Sequence, residues 1–159
     1  MTESVFETFD ENRKALMQKR RDLLVAIENV VAGFHCEFFH AVQTKPVVSD
    51  EGGVYIEGFG VCRQTHGKGW GVYAKTSCGM RLFIDADRGQ LANAGGPKTR
   101  IRGSIVIRSF LEHIEGFLVA IKPSLEARLA DEEALISRAE QSLTGFVARN
   151  SLEAAEHDY

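Results

Sequence analysis

The 159-residue sequence predicts an α+β fold: an N-terminal helix, an antiparallel β-meander of three to four strands and two C-terminal helices. Apolar residues recur at helical spacing before residue 34 and after residue 104. Between residues 53 and 86, apolar and polar residues alternate, and glycine turns separate the alternating runs. The order of these patterns predicts a single α+β domain over residues 1–149, followed by a frayed C-terminal tail at residues 150–159.

The first helix is expected to begin after Ser4, because Ser4 and Glu7 have the spacing of a capping box. Its apolar stripe is thin up to Leu23, so the first half is predicted to lie at a surface and the second half to be buried. Gly33 marks the end of this helix. Residues 34–43 fit either a helix or a strand, and the alternation of apolar residues there favours a strand.

The central meander is predicted to consist of strands at Val54–Thr65, Trp70–Thr76 and Met80–Asp85, joined by turns rich in glycine. Strict alternation along these strands defines two faces. The face expected to lie in the core carries Val54, Ile56, Trp70, Val72, Ala74, Leu82 and Ile84. The opposite face is expected to carry Tyr55, Phe59, Val61, Arg63, Tyr73, Lys75, Arg81 and Phe83.

Residues 88–102 have the composition of a long basic loop. Ser104 is the predicted N-cap of a helix whose apolar stripe continues to Ile121, and Pro123 is predicted to end that helix and start another. The stripe of the last helix consists of Leu125, Leu129, Ile136, Leu143 and Phe146. The helices either cover the sheet or pack against a second copy or a partner helix.

Charge is unevenly distributed along the chain. Residues 52–108 carry nine basic and three acidic residues, whereas residues 1–51 have a net charge of −3 and residues 109–159 a net charge of −6. A basic middle between acidic flanks predicts an anionic partner. The candidate binding residues are Arg63, Lys68, Tyr73, Lys75, Arg81, Phe83, Lys98, Arg100 and Arg102.

Aromatic rings interleaved with cations are typical of sheets that bind single-stranded nucleic acid, because bases stack on the rings and phosphates meet the cations. We therefore expect a small non-enzymatic adaptor or regulatory protein that binds nucleic acid through this surface. The alternative is a protein-interaction module, an inhibitor or chaperone-like adaptor, that docks an acidic protein on the same surface. A further alternative is that a helix or a second subunit covers the aromatic residues.

Other chemistry is only weakly indicated. The turn at residues 66–71 contains a lysine among glycines but lacks P-loop spacing and precedes a strand, so a hairpin turn is the better interpretation. Cys36, His40, Cys62 and His66 include two Cys-x-x-x-His pairs; without close Cys-x-x-Cys spacing they do not define a zinc site, and their convergence stays open. A small enzyme centred on the glycine turn at residues 66–71 is a third hypothesis, which the sequence favours less than the two binding functions. No catalytic residues, metal or cofactor are predicted.

Three scattered cysteines do not make a disulfide framework, and no apolar run approaches the roughly 20 residues needed to cross a bilayer. The sequence therefore predicts a cytoplasmic protein with no membrane partner and, as one possibility for its helices, a homodimer.

Overall fold

The computed structural model describes residues 4–50, 52–64, 69–92 and 101–157. Helix α1 (Val5–Ala32) precedes strands β1 (Phe38–Ala41), β2 (Ile56–Arg63), β3 (Trp70–Thr76), β4 (Arg81–Asp85) and β5 (Gln90–Leu91). Helices α2 (Gly103–Glu112) and α3 (Ile114–His157) follow. The strands form one antiparallel sheet in the order β1-β2-β3-β4-β5. The predicted α+β fold is confirmed, with five strands instead of three to four.

Helix α1 begins as predicted. The side-chain hydroxyl of Ser4 accepts a hydrogen bond from the backbone N–H of Phe6, which satisfies one of the free donors of the first turn. The buried residues Leu24, Ile27 and Val31 all lie in the second half of the helix. The first half is exposed, in agreement with its thin apolar stripe.

A β-bulge in β2 changes the predicted faces of the sheet. Ile56 lies opposite Thr76 and Gly58 opposite Lys75, so two steps along β2 match a single step along β3. The extra residue reverses the alternation beyond it, and Phe59, Val61 and Arg63 face the side opposite to Tyr73. The prediction that placed these three residues beside Tyr73 was wrong, because strict alternation holds only where neither strand carries a bulge.

The helices pack on the sheet face that carries Phe59. The Phe59 ring stacks 5.3 Å from that of Phe110 in α2, and the Phe38 ring lies 5.1 Å from that of Phe117 in α3. Phe110 and Phe117 also meet edge to face at 5.0 Å, which links the two helices. The remaining core residues on this face include Ile56, Val61, Val72, Ala74, Leu82 and Ile84.

The helix boundaries near the C-terminus differ from the predicted ones. Arg102, and not Ser104, is the N-cap of α2. The break between α2 and α3 falls at His113, whose Nδ1 lies 2.8 Å from the carbonyl oxygen of Ser109. Pro123 lies inside α3 and does not end it, because a proline removes one hydrogen bond while the rest of a long helix keeps its own. Helix α3 also includes most of residues 150–159.

The chain divides into two compact units, Met1–Ile121 and Lys122–Tyr159. The first contains the sheet and its core, and the second is the larger part of α3. Among the described helices, none is long and apolar enough to cross a membrane. The three cysteines are free.

Candidate functional site: the aromatic face of the sheet

The sheet face opposite the packed helices carries two rows of cross-strand neighbours. Phe39, Gly60, Tyr73 and Phe83 lie side by side in one row, because each is paired in register with the next. Ala41, Gly58, Lys75 and Arg81 form the adjacent row in the same way. We call the surface formed by Phe39, Tyr73, Lys75, Arg81 and Phe83 the aromatic face.

The glycines of β2 make room for the rings. A Cβ atom on Gly60 would lie 2.6 Å from the Cζ and Oη atoms of Tyr73, and one on Gly58 would lie 2.5 Å from the Cζ atom of Phe39. Each ring therefore lies over a glycine of β2, where any other residue would collide with it. The two rings stack at 6.5 Å with their planes 18° apart, and Phe83 lies 5.8 Å from Tyr73 on the other side.

Both cations of this face contact the rings. The guanidinium of Arg81 lies 4.9 Å from the centre of the Tyr73 ring, and its Nη1 donates to the Cys62 sulfur at 3.5 Å. The Nζ atom of Lys75 lies 5.7 Å from the centre of the Phe39 ring and 3.7 Å from a carboxylate oxygen of Glu57. The positive charges are thus held over aromatic surfaces by cation–π attraction.

The Phe39 and Tyr73 rings differ in their exposure to solvent. Tyr73 is only 6% exposed, whereas Phe39 remains 41% exposed. Burial raises the pKa of the Tyr73 hydroxyl, and the nearby Arg81 charge partly opposes that shift. Burial also raises the pKa of the Cys62 thiol, again against the effect of Arg81. Tyr73 is therefore largely covered, while Phe39 exposes an apolar surface to solvent.

The structure brings together four of the nine predicted binding residues, namely Tyr73, Lys75, Arg81 and Phe83. Arg63 lies across from Trp70 on the other side of the sheet, because the bulge reverses the alternation in β2. Arg102 is an exposed side chain that forms an ion pair with Asp50. Lys68, Lys98 and Arg100 lie outside the described residues.

Sequence reasoning missed Phe39. The Phe38-Phe39 pair places one ring on each side of β1, and β1 was not paired with the meander in the prediction. A pairing of β1 with β2 would have placed Phe39 beside Gly60. The glycines at positions 58 and 60 were a usable signal, since a glycine in a strand interior often marks close approach by another group.

The described residues contain no group of three or more potential metal ligands. His40 lies opposite Phe59 on the helix-covered face, while Cys62 lies opposite Gly71 on the other face, so these two side chains diverge. His66 lies outside the described residues. Cys78 is exposed, and its sulfur lies 3.1 Å from the hydroxyl of Thr76, an interaction that lowers the pKa of the thiol.

Comparison with known protein families, with curated proteins and with solved structures found no match.

Proposed function

We propose that the protein is a cytoplasmic, non-enzymatic adaptor that docks an acidic protein segment on the aromatic face. The observation that carries this proposal is the half-exposed Phe39 ring, which lies with Lys75 and Arg81 on the sheet face opposite the packed helices. An apolar ring within a cationic rim suits a partner that supplies one apolar side chain and flanking carboxylates.

The accessibility of the rings favours an acidic protein over a nucleic acid. Non-specific binding of a single strand uses several rings on which successive bases stack. Tyr73 is buried beneath Arg81, and the Phe39 ring lies near Lys75. The rings of the aromatic face therefore do not form an open series of stacking surfaces.

Nucleic acid is the second candidate, favoured by the net charge of +6 over residues 52–108. In that case phosphate contacts would come from Lys75 and Arg81 and from the predicted cations Lys68, Lys98, Arg100 and Arg102, with Phe39 supplying one stack.

Two further parts of the proposal concern the cellular compartment and the oligomeric state of the protein. Three free cysteines, one of them exposed, suit a reducing compartment such as the cytoplasm. We also propose that the protein acts as a homodimer, so that two aromatic faces are presented by one particle.

The proposal is tested by selection from a random-peptide display library on the purified full chain. We expect the selected peptides to be enriched in Asp and Glu, and their binding to weaken on the order of tenfold in Phe39→Ala and in Lys75→Gln. Arg108→Gln is the matched control for Lys75, because Arg108 is also an exposed cation paired with a glutamate, Glu112. Val119→Ala is the control for Phe39, since Val119 is likewise an exposed apolar residue.

A second arm uses a labelled 20-mer of thymidylate at about 50 and 200 mM salt. The proposal expects no binding that depends on Phe39. Oligonucleotide binding that Phe39→Ala weakens and that falls steeply with salt would replace the acidic protein by nucleic acid. Selected peptides without acidic enrichment, or equal losses in the control variants, would overturn the proposed docking on this face.

A further inference from the structure

The second compact unit, Lys122–Tyr159, carries large apolar side chains in solvent. Every side chain from Glu126 to Ser151 is exposed. Leu129, Ile136 and Leu143 are 64%, 54% and 63% exposed. Such a helix gains little stability from propensity alone, and burial of an apolar face is what normally stabilises helices in proteins.

The exposed apolar residues repeat every seven positions. With Leu129, Ile136, Leu143 and Asn150 at position a of a heptad, position d is occupied by Leu125, Glu132, Ala139 and Phe146. A repeat of seven is the pattern of two helices that wind around each other in a left-handed coiled coil. Leu135 and Val147, both exposed, lie at the flanking positions g and e and widen the apolar stripe.

The charges beside this seam select the orientation. Position e holds Glu126, Glu133 and Glu140, so an antiparallel pairing, which sets e against e, would oppose glutamates. A parallel pairing sets g of one helix against e of the next heptad in the other. Arg128 at position g then lies across from the partner's Glu133, and the symmetric pair forms on the other side.

We propose that residues 125–150 of α3 pair with the same residues of a second copy of the chain, as a parallel, in-register coiled coil. This inference rests on the homodimer of the proposed function and identifies its interface. Glu132 is the unfavourable member of the seam, and Arg128, four positions earlier on the same helix, provides a compensating charge. Asn150 at position a is a type of residue that fixes register and oligomeric state in parallel dimers.

The test measures the mass of the full chain by sedimentation equilibrium and light scattering. We expect wild-type protein to have twice the 17.6 kDa monomer mass. Replacing Ile136 and Leu143 together by Asp should raise the dimer dissociation constant by at least about 100-fold, because charges enter the seam. Ala134→Asp combined with Gln141→Asp is the control, since it adds the same two charges at position f on the outer side and should leave the dimer intact.

A charge exchange tests the orientation. Arg128→Glu should weaken the dimer on the order of tenfold, and Arg128→Glu combined with Glu133→Arg should restore it. Arg128 and Glu133 are five positions apart on one helix and do not face each other, so rescue reports a contact between chains. A wild-type monomer, or a dimer that survives the double Asp change, overturns the proposal. A dimer that the charge exchange does not rescue overturns the parallel arrangement.

The outcome is separable from that of the docking proposal. Binding of acidic peptides to the aromatic face is measured on the Ile136→Asp, Leu143→Asp double variant as well. Retained peptide binding by a monomer supports the docking proposal and the dimer interface together. The molecular mass tests the dimer interface, and the peptide affinity tests the docking proposal. Either proposal can therefore fail while the other stands.

Discussion

Gly60 shows how a single residue determines the shape of the aromatic face. A Cβ atom there would lie 2.6 Å from the Tyr73 ring and 2.7 Å from the backbone carbonyl of Phe38. The ring could move only by leaving its stack with Phe39, and the carbonyl is part of the neighbouring strand. A side chain at this position therefore disturbs two strands at once.

We predict that Gly60→Ala destabilises the protein by about 1–3 kcal/mol, the usual cost of overpacking. Denaturant unfolding followed by Trp70 fluorescence measures this. Gly145→Ala is the control, because a Cβ atom at Gly145 meets nothing within 4 Å and the change favours the helix that contains it. A wild-type unfolding midpoint for Gly60→Ala would show that the Tyr73 ring does not lie over Gly60.

The cysteines should differ in reactivity. The Thr76 hydroxyl lowers the pKa of Cys78, which is exposed, whereas burial raises the pKa of Cys62. A lower pKa means more thiolate near neutral pH, and the thiolate is the reactive form. We expect iodoacetamide to modify Cys78 well before Cys62 at pH 7.5, as measured by peptide mass mapping over time. Faster modification of Cys62 in the folded protein would contradict its burial.

At the scale of elements, the contacts of Phe110 join a helix to the sheet. Phe110 is fully buried between Phe59 and Phe117. We predict that Phe110→Ala costs about 3–5 kcal/mol of unfolding free energy, because it removes a large ring from a packed core. Chemical denaturation measures the loss. Val119→Ala, at an exposed site, should change stability by no more than about 0.5 kcal/mol, and an equal effect of both changes would disprove this packing.

Pro123 is the weak point of α3, since it lies inside the helix and cannot donate a backbone hydrogen bond. Pro123→Ala should stabilise the surrounding turns by up to about 3 kcal/mol. Hydrogen exchange of the amides of residues 122–127 should slow accordingly, while that of the β3 amides should not change. Unchanged exchange at residues 122–127 would show that the proline already occupies a helix end in solution.

At the scale of the whole molecule, the two compact units are expected to melt separately. Trp70, the only tryptophan, lies in β3 and reports on Met1–Ile121, while circular dichroism at 222 nm reports on the helices of both units, including the part of α3 in Lys122–Tyr159. If α3 associates with a second copy, a tenfold increase in protein concentration should raise the midpoint of helix loss, by mass action. The Trp70 transition should move less. A helix transition independent of concentration would contradict self-association.

The sequence predicts those parts of the fold and of the aromatic face that depend on interactions between residues close together in the chain. The capped start of α1, the three meander strands and the apolar stripe on α2 follow from local spacing, because helical and strand periodicities are properties of neighbouring residues. Alternation along β3 and β4 correctly predicts one shared face for Tyr73, Lys75, Arg81 and Phe83, because the pairing of these two strands contains no bulge.

The sequence by itself therefore determined the α+β class, the order of elements and the aromatic and cationic character of one sheet face. Only the tertiary structure decided that Phe59, Val61 and Arg63 lie on the other face, because a bulge is set by how two strands pair and not by either strand alone. It also decided that Tyr73 is buried and Phe39 exposed, since burial depends on the side chains that pairing brings alongside. The tertiary structure also shows that α3 continues through Pro123. The proline removes one backbone hydrogen bond, and the remaining hydrogen bonds of the 44-residue helix are kept.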